Sequence, residues 1–211
     1  MPTESRELLA VIDEESARMN QLIGKAFDMS RLEAGDVKLE LASHPVHELI
    51  SRALDTCRGS LRNRPIQLEV PDPDAKVVAD ASLIENVLVH LIENANLYSP
   101  ERAPITVAAR SEDGLVWFSV GDRGPGIRES EMEKIFEKFY RGEEQRDQVV
   151  GSGMGLSIVK AIVQAHGGSI EVVNLPARGA EFTFSLPADR ARRPNEEPTP
   201  ATSSGTQPTD P

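Results

Sequence analysis

Gly151-Ser152-Gly153-Met154-Gly155-Leu156 runs directly into Ser157-Ile158-Val159-Lys160-Ala161-Ile162-Val163, and the fold is read outward from this stretch. Glycine at every second position suits neither a strand nor a helix. Without Cβ the backbone can take positive φ and come close to a ligand. Leu156, Ile158, Val159, Ile162 and Val163 follow with helical spacing. A glycine loop that opens a helix presents unpaired N–H groups and the positive end of the helix dipole, which together cradle phosphate. The same residues also suit a glycine-rich turn capping a core helix, and the loop alone does not separate the two readings.

Downstream, the helix runs to His166-Gly167-Gly168. Ile170 to Val173 and Glu181 to Leu186 then read as strands, separated by a turn containing Pro176 and Gly179. Upstream, residues 141 to 153 are polar and glycine-bearing and read as a loop, and Glu129 to about Phe136 reads as a short helical piece. Ile105 to Arg110 and Leu115 to Val120 form a hairpin pattern around Glu112-Asp113-Gly114. A helix from Asp80 carries Leu83, Ile84, Val87, Leu88, Leu91, Ile92 and Ala95, with Asp80 or Ser82 as its cap, and stops near Tyr98-Ser99-Pro100. Lys76 to Ala79 and Ile66 to Val70 read as strands. Pro45 starts a helix with Val46, Leu49, Ile50, Ala53, Leu54, Cys57 and Leu61 on its apolar side. Val37 to Leu41 alternates like a short strand.

Residues 5 to about 34 read as one long helix ending at Gly35. Its apolar stripe drifts like a coiled-coil seam and needs a partner. Mixed helices and strands joined by short turns predict an α+β fold. It is a two-layer α/β sandwich with a mixed, largely antiparallel sheet covered by helices, preceded by a coiled-coil-type helix. After Pro187 the chain is rich in Pro, Ser, Thr and charge, and is expected to be disordered.

The 211 residues can bury one good core with a small appendage. A net charge of −11 argues against a nucleic-acid partner, which needs a basic face. The single cysteine, Cys57, falls in a helical pattern as a small packing residue, and no Cys/His cluster suggests zinc. The polar start is no signal peptide and no apolar run spans a bilayer, so the chain reads as soluble and cytoplasmic.

Two further residues bear on chemistry. Asn94, inside Glu93-Asn94-Ala95, sits at the margin of a core helix. Its amide oxygen can ligate Mg²⁺, a hard cation that keeps phosphates as co-ligands, or it can be bonded locally. Asp122 ends a strand before Gly124 and Gly126. Its carboxylate can accept from an exocyclic amine such as that of adenine, or cap a turn.

Asn94 on a helix, Asp122-x-Gly124-x-Gly126, Phe136-x-x-Phe139 and Gly151-x-Gly153-x-Gly155-Leu156 occur in this order. Together they resemble the four nucleotide boxes of the catalytic ATP-binding domain of bacterial sensor histidine kinases, within the gyrase–Hsp90–kinase–MutL superfamily. The resemblance covers about residues 46 to 187. Phe27 to Gly35 resembles the end of the second dimerisation helix of the same kinases. The implied organisation is a partial dimerisation domain over 1–35, a linker strand over 36–45, the ATP-binding domain over 46–187 and a tail over 188–211.

The resemblance implies ATP and Mg²⁺ as cofactors and transfer of the γ-phosphoryl to a histidine. It assigns Asp122 to the adenine amine, Gly124 and Gly126 to a lid hinge, Asn94 to Mg²⁺, and Gly153 and Gly155 to phosphates. Tyr98 lines the adenine side or is a half-buried helix-end aromatic. Arg141 reaches the terminal phosphate or is a solvated charge. Glu93, Asn94 and Arg141 are the candidate catalytic residues. Ile127, Phe139, Gly151, Met154 and Leu156 complete the candidate nucleotide contacts. The implied partners are a phosphoacceptor histidine domain, a response regulator and a second copy of the chain through the N-terminal helix.

The sequence departs from the family pattern at three points. His90 stands where Asn is usual, and reads as a core histidine or as one facing the metal. Leu97 stands where Lys is usual. The acceptor motif is absent, since none of His44, His47, His90 and His166 has its flanks, so the acceptor must come from another segment or chain. A non-catalytic ATP-binding or dimerisation module and an anti-sigma-type serine kinase are the alternatives. The long N-terminal helix argues against the second.

Overall fold

The computed structural model describes residues 38–142 and 152–189. The N-terminal helix read over residues 5–34, its Gly35 cap, Gly151 and most of the expected tail lie outside the described residues. In order, the chain forms β1 (Ala42–Pro45), α1 (Val46–Thr56), α2 (Arg58–Leu61), β2 (Ile66–Glu69), β3 (Lys76–Ala79) and α3 (Ala81–Tyr98). There follow β4 (Ile105–Glu112), β5 (Leu115–Gly121), two 3-10 turns (Glu129–Glu131 and Lys134–Phe136), α4 (Gly155–Ala165), β6 (Ile170–Asn174) and β7 (Ala180–Pro187).

A five-stranded sheet has the order β2-β4-β5-β7-β6. Only the β2–β4 pair is parallel. β1 and β3 form a separate antiparallel pair. The expected α+β sandwich is therefore present.

Alternation places Ile105, Val107 and Ala109 of β4, and Val116, Phe118 and Val120 of β5, on one buried face. Against it pack Leu49 and Ile50 of α1, Leu88, Leu91 and Ile92 of α3, and Val159, Ile162 and Val163 of α4. Burial of a side chain such as Leu88 contributes about 1.5–3 kcal/mol. Phe118 and Phe184 stack across neighbouring strands at 4.8 Å between ring centres. On the other face Arg110 lies over Trp117 at 5.6 Å.

The β4–β5 turn takes positive φ at both Asp113 (52°) and Gly114 (77°), the geometry that matches strand twist in a two-residue hairpin. Asp80 caps α3 by accepting from the N–H groups of Ser82 (3.1 Å) and Leu83 (3.3 Å). No helix among the described residues is long and apolar enough to cross a membrane.

Three local expectations are corrected. The first strand lies at Ala42–Pro45; Lys38–Leu41, the described part of the strand expected at Val37–Leu41, is not strand, and Val37 lies outside the described residues. The ladder of β1 with β3 ends at the Ala42–Ala79 pair. Beyond that pair the partner strand has turned into the α3 cap, and the Glu40 N–H goes to Asp80 Oδ2 instead, at 3.1 Å. The helix expected to continue from Pro45 through Leu61 breaks at Cys57 into α1 and α2.

The segment after Pro187 also begins ordered. Ala188 bridges to Val77, the Asp189 N–H donates to the Lys76 carbonyl at 2.9 Å, and the Ser43 hydroxyl donates to the Asp189 carboxylate. The open side of β3 supplies backbone partners that composition does not reveal.

Candidate nucleotide site

A cavity of about 500 Å³ opens between α3, the 122–127 loop, the segment around Tyr140–Gly142 and the start of α4. α3 supplies His90, Glu93, Asn94, Leu97 and Tyr98 to its wall. Residues 90, 94 and 97 to 98 recur at helical spacing, so one face of a rigid, capped helix presents them together. Its opposite face carries Leu88, Leu91, Ile92 and Ala95 into the core.

Asp122 stands at the end of β5, 6% exposed. Its main-chain N–H donates to the Ala180 carbonyl at 2.9 Å, and its Oδ1 accepts from the Gly124 N–H at 2.6 Å. Burial pushes its carboxyl above the usual carboxylate range, against the opposing pull of the Gly124 and Ala180 backbone groups and Arg123. Burial also raises the Tyr98 phenol, and the Arg141 charge pulls it back.

The loop beyond Asp122 is held from several directions. A Cβ at Gly124 would lie 2.7 Å from the Tyr98 carbonyl oxygen, so the loop passes flat against the end of α3. The Arg123 N–H donates to Ser99 Oγ at 3.0 Å. At Gly126 φ is +82°. The next residue, Ile127, donates its N–H to Asn174 Oδ1 (2.8 Å) and accepts at its carbonyl from Asn174 Nδ2 (2.7 Å). Arg178 Nε donates to the Gly124 carbonyl at 3.1 Å. At Gly179, Cβ would meet the Asp122 carbonyl oxygen at 2.1 Å. The β6–β7 turn is thus the mould for the loop, and Asn174 and Arg178 are site residues that sequence reading missed.

At the other side Gly153 has φ +70°, and a Cβ there would lie 2.7 Å from both Phe139 C and the Tyr140 carbonyl oxygen. Only glycine allows these two segments to touch. Gly155 opens α4 against His90, with 3.2 Å between a notional Cβ and His90 Cδ2.

The cavity wall includes Glu93, Asn94, Tyr98, Asp122, Gly126, Ile127, Arg141, Gly153, Gly155 and Leu156. Gly124 is not on the wall; its N–H holds the Asp122 carboxylate that is. Two further candidates besides Gly124 do not line it. Phe139 is 65% exposed, with φ +63° turning its ring outward. Tyr140 takes the wall position beside it. Met154 is buried in the core, held as the cap of α4, where its carbonyl accepts from Ser157 Oγ at 2.9 Å. Leu97 is 51% exposed at the rim, and His90 is half-buried on the wall.

Residues 79–190, more than half of the chain, match the model of the histidine kinase-, DNA gyrase B- and HSP90-like ATPase family. The chain belongs to this ATP-binding family. Within the family it is similar to the alginate biosynthesis sensor protein KinB of Pseudomonas aeruginosa, 37% identical over 88% of this chain and 31% of that protein. Among solved structures it resembles full-length ShkA in complex with AMPPNP, with TM-score 0.75 and 27% identity over 89% of this chain and 40% of that one. It also resembles the histidine kinase ThkA in complex with the response regulator protein TrrA, with TM-score 0.70 and 26% identity over 89% of this chain and 52% of that one. The chain spans less than half the length of the curated relatives it matches.

The donor chemistry of this ATPase-family cavity fits a hard cation. Among the described residues no cluster of three or more His, Cys, Asp or Glu is placed to hold a metal. Asn94 offers one amide oxygen, which suits Mg²⁺ carried largely by phosphate and water.

Proposed function

We propose that this chain is the ATP-binding kinase core of a sensor histidine kinase in a two-component phosphorelay. It binds Mg-ATP in the cavity and transfers the γ-phosphoryl group to a histidine supplied by another segment or chain. The observation that carries this reading is the convergence of Asn94, Asp122, Arg141, Gly153 and Gly155, from four separated segments, on one cavity.

Each residue has a chemical role in this reading. Asp122 accepts from the adenine amine, its carboxylate oriented by the Gly124 N–H. Tyr98 gives the base an apolar flank. The N–H groups that open α4 face the phosphates, and the Arg141 guanidinium clamps the terminal one. Asn94 holds the cation, which when bound neutralises charge on the β- and γ-phosphates. The acceptor imidazole nitrogen forms a bond to the γ-phosphorus as the bond to the β–γ bridging oxygen breaks and ADP leaves with that electron pair. Glu93 takes the imidazole proton in this reading, which its exposure on the cavity wall supports. By analogy with ThkA and TrrA, the next partner is a response regulator, and a second copy of the chain pairs through residues 1–35.

Mixing the chain with a separate acceptor hairpin from a related sensor kinase and labelled ATP tests the reading. The expected product is acid-labile label on the hairpin. Nucleotide binding without transfer would favour a non-catalytic module. Leu97 motivates that second reading, since it places an apolar side chain where a cation would strengthen phosphate binding.

A further inference from the structure

We propose that the segment Arg190-Ala191-Arg192-Arg193-Pro194 docks on the open face of the five-stranded sheet, with its chain against Trp117 and its guanidinium groups on Glu69 and Glu181. The inference is independent of the nucleotide reading, because this face lies opposite the helices that wall the nucleotide cavity.

The alternation that sends Val107, Phe118 and Phe182 into the core turns Ala108, Ser119 and Thr183 to the other face. Register sets Glu69, Ala108, Ser119 and Thr183 side by side across four neighbouring strands. Over these small side chains lies a second cavity of about 540 Å³. Trp117 and its cross-strand partner Arg110 line it, together with Glu69 and Glu181. Arg110 is already taken up. Its guanidinium lies over Trp117 at 5.6 Å, and its Nε donates to Glu112 Oε2 at 3.3 Å. Among the described residues Glu69 and Glu181 have no ion-pair partner. The cavity thus presents an indole and two uncompensated carboxylates, the chemistry that receives guanidinium groups.

The chain itself carries that chemistry close by. Three arginines within four residues follow Asp189 directly, a density that recurs nowhere else in the sequence. Asp189 is fastened at the hairpin end of the sheet. The Ala188 N–H donates to the Gly114 carbonyl at 3.0 Å, and the Asp189 N–H donates to the Lys76 carbonyl at 2.9 Å. Trp117 pairs with Ser185, four residues back along the chain from Asp189, or about 14 Å. Residues 190–193 also span about 14 Å when extended. A reversal of direction after Asp189 therefore brings Arg192 and Arg193 to Trp117, with their long side chains toward Glu69 and Glu181 beyond it. A single exposed ion pair is weak, but the tether makes this encounter intramolecular, at an effective concentration of about millimolar.

Trp117 is the only tryptophan, so its fluorescence reports on this face alone. The test measures quenching by acrylamide, a neutral quencher, in the full chain at low and high salt. Wild type is expected to be quenched about twofold more strongly at high salt, where the ion pairs are screened. The variant with Arg190→Glu, Arg192→Glu and Arg193→Glu is expected to show the high-salt value at both salt levels, with an unchanged melting temperature. Glu69→Lys with Glu181→Lys is expected to do the same, and combining the two sets of substitutions to restore shielding. Salt-independent quenching of wild type, or an arginine variant that matches wild type at low salt, overturns the proposal. Failure of the combined variant to restore shielding also overturns it. Shielding that disappears on dilution would put the arginines of a second copy on this face, and overturns it too. If a charge variant melts early, the wild-type salt response decides.

Discussion

Asn174→Ala tests whether the β6–β7 turn moulds the nucleotide loop. The substitution removes two hydrogen bonds, one to the Ile127 N–H (2.8 Å) and one to its carbonyl (2.7 Å). Each neutral bond contributes about 0.5–1.5 kcal/mol net, so the pair is worth about 1–2 kcal/mol where water can compete. If all of it holds the 122–127 loop in its ligand-ready position, nucleotide affinity falls about 5- to 30-fold. Calorimetric titration with Mg-AMPPNP reads that loss, and a melting curve without nucleotide reads stability. A large affinity loss with a small melting shift is expected, because the bond pair lies outside the core. Asn174→Asp keeps an acceptor for the Ile127 N–H but sets a carboxylate against the Ile127 carbonyl, so it is expected to lose at least as much. Gly126→Ala supplies a cross-check, since its Cβ would meet Asn174 Oδ1 at 2.8 Å. The double variant with Asn174→Ala is expected to lose less than the two single losses added, because the clash is gone and only the φ strain remains. Affinities within twofold of wild type in both Asn174 variants would refute the reasoning.

Other perturbations follow from the same contacts. Burial raises the Asp122 carboxyl above its unfolded value, so the folded chain holds more protons there. This contribution to stability is full at low pH and is lost as pH rises through the folded pKa. Asp122→Asn is thus expected to match or exceed wild-type melting temperature at pH 7 while losing nucleotide affinity, measured by melting and calorimetry side by side. Asp80 behaves oppositely. Desolvation pushes it up, but bonds from the Ser82 side chain and from the Glu40, Leu83 and Ser82 N–H groups together hold it below the ordinary range. Its contribution is present above the unfolded pKa and lost as pH falls through the lowered folded value. Asp80→Ala is expected to cost about 1–2 kcal/mol in urea unfolding at pH 7, with the deficit shrinking in acid. The Cys57 thiol, pushed up to about 11 by burial and by the Glu93 charge, is expected to resist a thiol reagent at neutral pH until urea unfolds the chain. Rapid labelling of the native protein would contradict its placement.

Legibility in the sequence tracked how local each cause was. α3 could be read because its apolar positions, its Asp80 cap and its cavity face all obey one helical period. Glycine spacing located the two loops, and strand alternation located β4, β5 and β7. β1 was misread because the alternation at residues 37–41 is a local pattern, whereas pairing is decided by where β3 ends. Phe139 and Met154, expected among the nucleotide contacts, lie off the cavity wall for a related reason. Their neighbours face the cavity, but a positive φ turns Phe139 outward and a helix cap turns Met154 inward. Asn174, Arg178 and Ser99 left no local signal. Their contacts with the loop span 47, 54 and 24 residues, and an Asn at a strand end looks the same whether or not it clamps a distant backbone.

The far ends of α3 and α4 bear on the cavity between them. α3 contributes its C-terminal half to the wall and α4 its first turn, so the N-terminal end of one helix lies beside the C-terminal end of the other. There His166 Nδ1 donates to the Ile162 carbonyl at 2.8 Å, and Nε2 accepts from the Asp80 N–H at 3.0 Å. One neutral imidazole thereby joins the end of α4 to the cap of α3. The same Asp80 takes the Glu40 N–H, so the segment entering from the N-terminal side is fastened at that point too. The two helices that wall the cavity are thus joined at a point outside it, and the 122–127 loop is bonded to the β6–β7 turn on the sheet side. The residues proposed to touch nucleotide sit on a helix whose position is fixed by groups that never meet it. The glycine motifs mark the wall, and His166, Asp80, Asn174 and Gly179 contact the helices and the loop that form it.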